Sequence, residues 1–270
     1  MEALELQAAA ERIAREAGDI LRSYVGKSFD VRRKGDVDLV TEADGASEEH
    51  IVSFLRREFP EHSILAEEGG ASGDRGAEFQ WVVDPLDGTT NFAHGLPLWS
   101  VSIGLLRHGE PYVGVVHDPS RGECFSAARG HGTACNGVPV RVSRVTALEE
   151  ALLVTGFPYD IRTSSVNNLD HFRRFMLRSR AVRRLGSAAL DLGYVACGRF
   201  DAFWELKLHP WDVAAGALLV REAGGAVTRF DGAPFDVFSP ELLAGPPDLL
   251  PAMSEILLKG NRPESESAGT

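Results

Sequence analysis

Cysteine is scarce: Cys124, Cys135 and Cys197 are the only three in 270 residues. Their odd number and lack of ligand spacing exclude a disulfide framework and predict reduced thiols in a cytoplasmic protein. Paired histidines are missing too. With no His-x-x-x-His among the eight histidines, a zinc centre is not expected. No stretch of about 18 apolar residues occurs, so no membrane-spanning helix is predicted. The opening Met1-Glu-Ala-Leu-Glu-Leu6 is acidic and amphipathic, with neither the basic nor the apolar region of a secretion signal. Positive charge is in deficit: 28 Lys and Arg stand against 39 Asp and Glu, for a formal charge of −11. Nucleic-acid binders carry a basic excess or stripe. The nearest thing here, Arg173, Arg174, Arg178, Arg180, Arg183 and Arg184, reads as a solvated helix face and its exit. Repeats and low-complexity tracts are absent. The last ten residues, Asn261 to Thr270, are polar without an apolar period and are expected to be disordered.

What is present suits a globular α/β chain. Apolar residues at 44% and charged residues at 25% lie near globular averages, and the length can bury a substantial core. Leu6, Ala10, Ile13, Ala17, Ile20, Leu21 and Tyr24 fall on one face at helical spacing, and Gly26 ends that helix. A polar hairpin or mobile loop follows, from Arg32 to Thr41. Thr41-Glu-Ala-Asp44 has capping-box spacing, and it opens a second helix that buries Ile51, Phe54, Leu55 and Phe59 before Pro60 stops it. Ser63–Ala66 and Gln80–Asp84 read as short buried strands. Ser100–Leu106, Tyr112–His117 and Glu123–Ala127 read as an antiparallel meander, and Asn136-Gly137 marks a tight hairpin. Beyond residue 150, strands at 152–155, 200–205 and 226–229 alternate with helices at 168–179, 187–197, 211–223 and 248–258. A sheet-rich middle with helical flanks predicts a layered α+β sandwich rather than a doubly wound sheet.

Carboxylates collect where these elements end: Asp44 at a helix start, Glu67 after a strand, Asp84 and Asp87 around a turn, Asp212 at another helix start. The turn, Asp84-Pro-Leu-Asp-Gly-Thr89, is the most informative. Pro85 and Gly88 constrain the backbone so that both carboxylates and the Leu86 carbonyl can converge. Hard cations such as Mg²⁺ take that oxygen set. Gly88 and Thr89 then open a helix whose free amides would cradle phosphate. Such a cation would also let a phosphate approach so acidic a chain. Taken one at a time, Asp212 reads as an N-cap and Glu67-Glu68 as an ordinary acidic loop.

Together, Lys34, Asp38-Leu-Val-Thr-Glu-Ala-Asp44, Glu67-Glu68, Asp84-Pro-Leu-Asp-Gly-Thr89 and Trp211-Asp-Val-Ala-Ala-Gly216 resemble the inositol monophosphatase family in order, spacing and length. The resemblance runs from about residue 3 to 260. It implies a layered αβαβα sandwich of the inositol monophosphatase/fructose bisphosphatase type in one domain, with a metal and phosphate half (about 1–145) and a substrate half (about 146–260). It further implies a Mg²⁺-dependent phosphomonoesterase, with Mn²⁺ as a substitute and Li⁺ as an inhibitor, acting on a small phosphorylated polyol or sugar as a homodimer. Two to three ions per site are implied. Glu67, Asp84 and the Leu86 carbonyl hold the first, Asp84, Asp87 and Asp212 the second, and Glu67 with waters the third. Thr89, hydrogen-bonded to Asp44, would orient or deprotonate a metal-activated water, and Lys34 would assist from a mobile loop. Asp87, the Gly186-Ser187-Ala188 turn and Glu205 would contact the substrate. Without the resemblance, Glu205 reads as a surface acid paired with Lys207. Fructose bisphosphatase, histidinol-phosphate phosphatase and adenosine bisphosphate nucleotidase remain alternatives within the fold, since metal ligands do not choose a substrate. A non-catalytic binding protein is disfavoured because every implied ligand is present.

Overall fold

Two sheets, each buried on both faces, give this chain its long apolar strand runs. The computed structural model describes residues 3–26, 31–33 and 39–259. Helix α1 (Ala3–Tyr24) is followed by a hairpin of β1 (Val31–Arg33) and β2 (Leu39–Thr41), then by α2 (Glu42–Glu58). Next come β3 (Ser63–Ala66), β4 (Gly70–Ser72), β5 (Phe79–Asp87), the short α3 (Thr89–Ala93), β6 (Ser100–Arg107), β7 (Glu110–Asp118), β8 (Glu123–Ala128), β9 (Thr133–Cys135) and β10 (Val138–Val140). The remainder is β11 (Leu152–Thr155), α4 (Leu169–Met176), β12 (Ala181–Arg183), α5 (Ala188–Ala196), β13 (Ala202–Leu206), α6 (Pro210–Glu222), β14 (Ala226–Thr228), β15 (Glu241–Gly245) and α7 (Leu250–Lys259). Lys34 and the tail 261–270 lie outside the described residues.

The large sheet runs β10-β9-β8-β7-β6-β5-β3-β4, and the small one β12-β11-β13-β15-β14. Side-chain alternation sorts the interior into three cores. Trp81, Val83, Ile103 and Val115 meet α1 and α2 on one side of the large sheet. Val82, Val116 and Phe125 on the other side meet α5 and α6, and Val154, Phe203 and Leu242 of the small sheet close that core from beyond the two helices. Leu153, Trp204 and Leu243 face the far side with Phe175 of α4 and Met253 of α7. The result is the predicted αβαβα sandwich, in which the strands read as continuous apolar runs because both faces are covered. The expected β6–β7–β8 meander is present, and Asn136 and Gly137, at φ 50 and 78, make the hairpin turn before β10. Sequence reading left β12 and β15 unassigned. Both are brief, and β15 lies among Pro, Asp and Gly that mask a five-residue strand.

Helix α6 is seated unusually close. Gly104 of β6 and Gly114 of β7 are paired in register. A Cβ on Gly104 would lie 2.8 Å from the Ala214 Cβ, and one on Gly114 would lie 2.5 Å from the Ala215 carbonyl oxygen. Only bare backbone lets Ala214 and Ala215 lie flat on the sheet there. That seat fixes where Asp212, one turn earlier, meets the ends of β3 and β5.

Candidate functional site

Strand pleating alone would separate Asp84 from Asp87. Residues three apart point to opposite faces of a regular strand. In the β5–β6 ladder, Asp84 pairs with Ser102 but Asp87 pairs with Ser100, so β5 carries one surplus residue between them. This bulge shifts the alternation by one and turns Asp87 toward the side of Asp84. Pro85 sits in the irregular stretch, where a missing N–H costs no ladder bond. The Ser47 hydroxyl of α2 donates to the Pro85 carbonyl at 2.9 Å, and the Leu86 amide donates to Asp84 Oδ1 at 2.9 Å. Both bonds lock the turn.

The other acids arrive from separate elements. Glu67 extends β3 by one residue, its amide donating to the Val83 carbonyl at 3.1 Å. Its neighbour Glu68 donates its amide to Glu48 Oε2 of α2 at 2.9 Å. Asp212 stands in the first turn of α6, where Oδ2 accepts the His209 amide at 2.6 Å. The N-cap is His209, so Asp212 is not the cap itself but the reciprocal partner in a capping box. It also lines a cavity of about 280 Å³ together with Glu67, Asp84, Asp87 and Glu205. Larger clefts of about 370 and 450 Å³ occur elsewhere, but neither gathers fully buried, mutually perturbing acids. Chemistry rather than size marks the site.

Electrostatics inside that cavity are unfavourable without a cation. Asp84 is 2% exposed. Its carboxyl is driven well above the ordinary range, by burial first and then by the charges of Glu67, Asp87 and Asp212. Asp87 is pushed up to about 6 by burial, a rise opposed by the Ser187 hydroxyl and the Ala189, Ala188 and Leu190 amides. A side-chain hydrogen bond joins Glu67 to Asp84. Among the described residues no three His, Cys, Asp or Glu side chains are already close enough together to hold a metal ion. The donor set nevertheless suits a hard cation: carboxylates and a carbonyl, without nitrogen or sulfur.

Thr89 Oγ1 lies 3.3 Å from Asp44 Oδ1 and 3.1 Å from the Leu86 carbonyl. Its single hydroxyl hydrogen can serve one acceptor at a time. The predicted helix after Gly88 is only the five-residue α3. Its dipole is accordingly small, and any phosphate cradle consists of local amides ahead of Phe92, the first to bond back, to Gly88. Gly88 is held at φ 94 with its Cα wedged toward the Leu98 and Gly186 carbonyls.

Sequence reading placed Gly186, Ser187 and Ala188 at a strand-to-helix turn, and they do join β12 to α5 beside the acids. The Ser187 side chain has a role of its own: its hydroxyl donates to Asp87 Oδ2 at 2.5 Å, beside the Ala189 amide at 2.8 Å. That hydroxyl therefore positions Asp87, which leaves the backbone groups of the turn as its means of meeting a substrate. Asn91, passed over in the sequence, bridges the two turns by donating to the Leu98 carbonyl at 2.7 Å and the Leu185 carbonyl at 2.8 Å. Glu205 is not a surface acid paired with Lys207. It is 7% exposed on β13, whereas Lys207 Nζ donates to Asp160 Oδ2 at 2.6 Å. Burial, then the charge of Asp212, raises the Glu205 carboxyl, with Arg184 opposing.

Comparison with known proteins agrees with this geometry. The sequence pattern of the inositol monophosphatase family matches residues 2–259. The inositol-1-monophosphatase of Synechocystis is 46% identical over 240 residues, 88% of this chain and 83% of that protein. The Nus factor SuhB of Pseudomonas aeruginosa is 49% identical over 232 residues, 83% of this chain and 84% of that one. The structure of inositol monophosphatase from Anabaena superposes with a TM-score of 0.88 at 43% identity, covering 95% of this chain and 96% of the other. Layered fold, acidic cavity and relatives define a phosphomonoesterase, whose substrate is phosphorylated. The chain belongs to the inositol monophosphatase family.

Proposed function

We propose that the chain is a Mg²⁺-dependent phosphatase hydrolysing inositol monophosphate or a related polyol or sugar phosphate. The observation carrying this is the convergence of Glu67, Asp84, Asp87 and Asp212 on one cavity beside the Gly88–Thr89 amides. Mg²⁺ would be held by Glu67, Asp84, the Leu86 carbonyl, Asp87 and Asp212. When bound it supplies charge neutralisation for the phosphoryl and leaving oxygens and lowers the pKa of water. The protein's own groups supply the rest. Asp87, anchored through Oδ2 by Ser187 and Ala189, presents its carboxylate to a cation or a substrate hydroxyl. The amides of Gly88 and Thr89 face the phosphoryl oxygens. Thr89 Oγ1 takes a proton from the attacking water as its own hydrogen passes toward Asp44 Oδ1. Glu205 receives a hydroxyl of the leaving group.

Phosphate release from a panel of polyol, sugar and nucleotide phosphates, with Mg²⁺ or Mn²⁺ and with excess EDTA, tests the assignment. Expected are turnover of polyol phosphates, loss of turnover in EDTA and inhibition by Li⁺; full turnover in EDTA would sink the mechanism. The same reading includes a homodimer, checked by light scattering, and no affinity for nucleic acid. The likeness to a protein named a Nus factor supports a second reading, an additional role as a binding partner in transcription. An Asp84→Asn variant that kept such binding while losing turnover would establish the two as separate.

A further inference from the structure

Next to the main cavity, a lobe of about 90 Å³ lies between the end of β11, the turn before α5 and strand β13. Four residues shape the wall where the leaving group would sit: Gly156, Arg184, Asp191 and Glu205. Asp191, in the first turn of α5, is 1% exposed, and its buried Oδ1 has no hydrogen-bond partner. A buried carboxylate oxygen left without a partner is costly, and it marks a place for a polar visitor. Gly156 explains how Glu205 reaches the same wall. The Glu205 carboxylate occupies the space a Cβ at 156 would fill, and the Gly156 amide is hydrogen-bonded to it. Arg184 stands exposed at the mouth, its guanidinium Nη1 lying 2.9 Å from where a Gly186 Cβ would be.

We propose that Asp191 is a specificity-determining residue that recognises a second hydroxyl of the leaving group, next to the one met by Glu205. This rests on the polyol-phosphate reading above and adds to it two adjacent hydroxyls as the recognised unit. A hydroxyl suits the site whichever form Asp191 takes. Burial, then the charges of Glu205 and Asp87, push its carboxyl up, while Arg184 pulls it down. Ionised, Asp191 accepts from a hydroxyl; protonated, it donates to one, and a hydroxyl does both. An anionic group could only accept, and it would meet the charges of Glu205 and Asp87 at close range. The lobe therefore fits an uncharged, hydroxylated ring or chain.

The test uses the full-length wild type, Asp191→Asn, Asp191→Ala and Gly156→Ala with saturating Mg²⁺, on inositol monophosphate and on p-nitrophenyl phosphate. Asp191→Ala should raise KM for inositol monophosphate about tenfold or more while changing kcat far less, the scale for a site that loses a hydroxyl contact. Asp191→Asn, nearly isosteric, should show the same trend more weakly. Gly156→Ala should reproduce it by displacing the Glu205 carboxylate. Turnover of the aryl phosphate, which lacks the hydroxyls, should stay within about twofold in the Asp191 variants, and circular dichroism certifies the folding of all three. If Asp191→Ala proved unstable, Asp191→Asn would decide. Equal losses on both substrates would make Asp191 structural, and no loss on either would remove it from the pocket; both overturn the proposal. A wild type that prefers polyol phosphates, with Asp191 variants that keep that preference, refutes this inference alone. A wild type that ignores polyol phosphates while cleaving others refutes the underlying substrate reading, and this inference with it.

Discussion

Replacing Gly114 by alanine tests whether the seating of α6 governs the active site. The added Cβ would sit 2.5 Å from the Ala215 carbonyl oxygen and 3.0 Å from its Cα. Both obstacles are backbone, so no rotamer change relieves them. Restoring ordinary contact requires α6 to lift by about 1 Å, and overpacking of this kind costs about 1–3 kcal/mol. For a domain of this size that corresponds to a fall in Tm of roughly 2–10 °C. Asp212 rides on the same helix one turn away, so the lift also carries it from Glu67, Asp84 and Asp87. Misplacement of that order costs about 10²-fold in turnover. Thermal unfolding and a Mg²⁺ titration of phosphate release should therefore change together, with the half-activating Mg²⁺ concentration rising. A variant that lost stability yet kept a wild-type Mg²⁺ curve would show that the seat supports the fold alone. One that lost neither would refute the packing argument altogether.

Other expectations concern single groups. Asp84→Asn should nearly abolish turnover, because it neutralises the acid at the centre of the cluster; substantial residual activity would deny it that place. Asp212→Asn keeps an acceptor for the His209 amide, so Tm should hold while the Mg²⁺ requirement rises; an unchanged Mg²⁺ curve would leave Asp212 a capping partner only. Thr89→Ala should lower kcat by about 10²–10⁴, the scale of a lost proton-transfer group, and an unaltered kcat would exclude it from the mechanism. His117 and His171 are held below the ordinary 6.5 of imidazole, chiefly by burial. Both are neutral in the fold, so the stability they contribute is present above pH 6.5 and is lost as pH falls through their depressed values. Urea midpoints should drop on acidification below about pH 6. His171→Gln should flatten that drop, and an equally steep drop in the variant would clear His171.

The dispersed acids and the Asp84–Thr89 turn were legible in the sequence because each ends an element whose apolar pattern is strong. Long-range partners were not. Lys207 meets Asp160 from 47 positions away, and nothing near Lys207 in the chain hints at it, so the adjacent Glu205 was open to misreading as its partner. The hold of the Ser187 hydroxyl on Asp87, a hundred positions earlier, was equally hidden. Asp191 hid inside Ala188-Ala-Leu-Asp-Leu192, where an acid in the first turn of a helix needs no other explanation. The small sheet was half legible, because its central β13 is apolar but for Glu205 while β12 spans only three residues.

The surplus residue in β5 has an evolutionary meaning. Removing one residue between Asp84 and Asp87 would leave Trp81, Val82 and Val83 upstream in their present cores. Asp84 and Asp87 would then lie two apart on a regular strand and still share a face. The irregular Pro85–Leu86 backbone braced by Ser47 and Asp84 Oδ1 would be gone, however, and with it the Leu86 carbonyl that Thr89 contacts. The extra residue thus serves the turn and not the interior: it brings a backbone carbonyl and a shaped loop to the acids while the core upstream is untouched. Core and site can therefore vary almost independently, joined at one irregularity of β5.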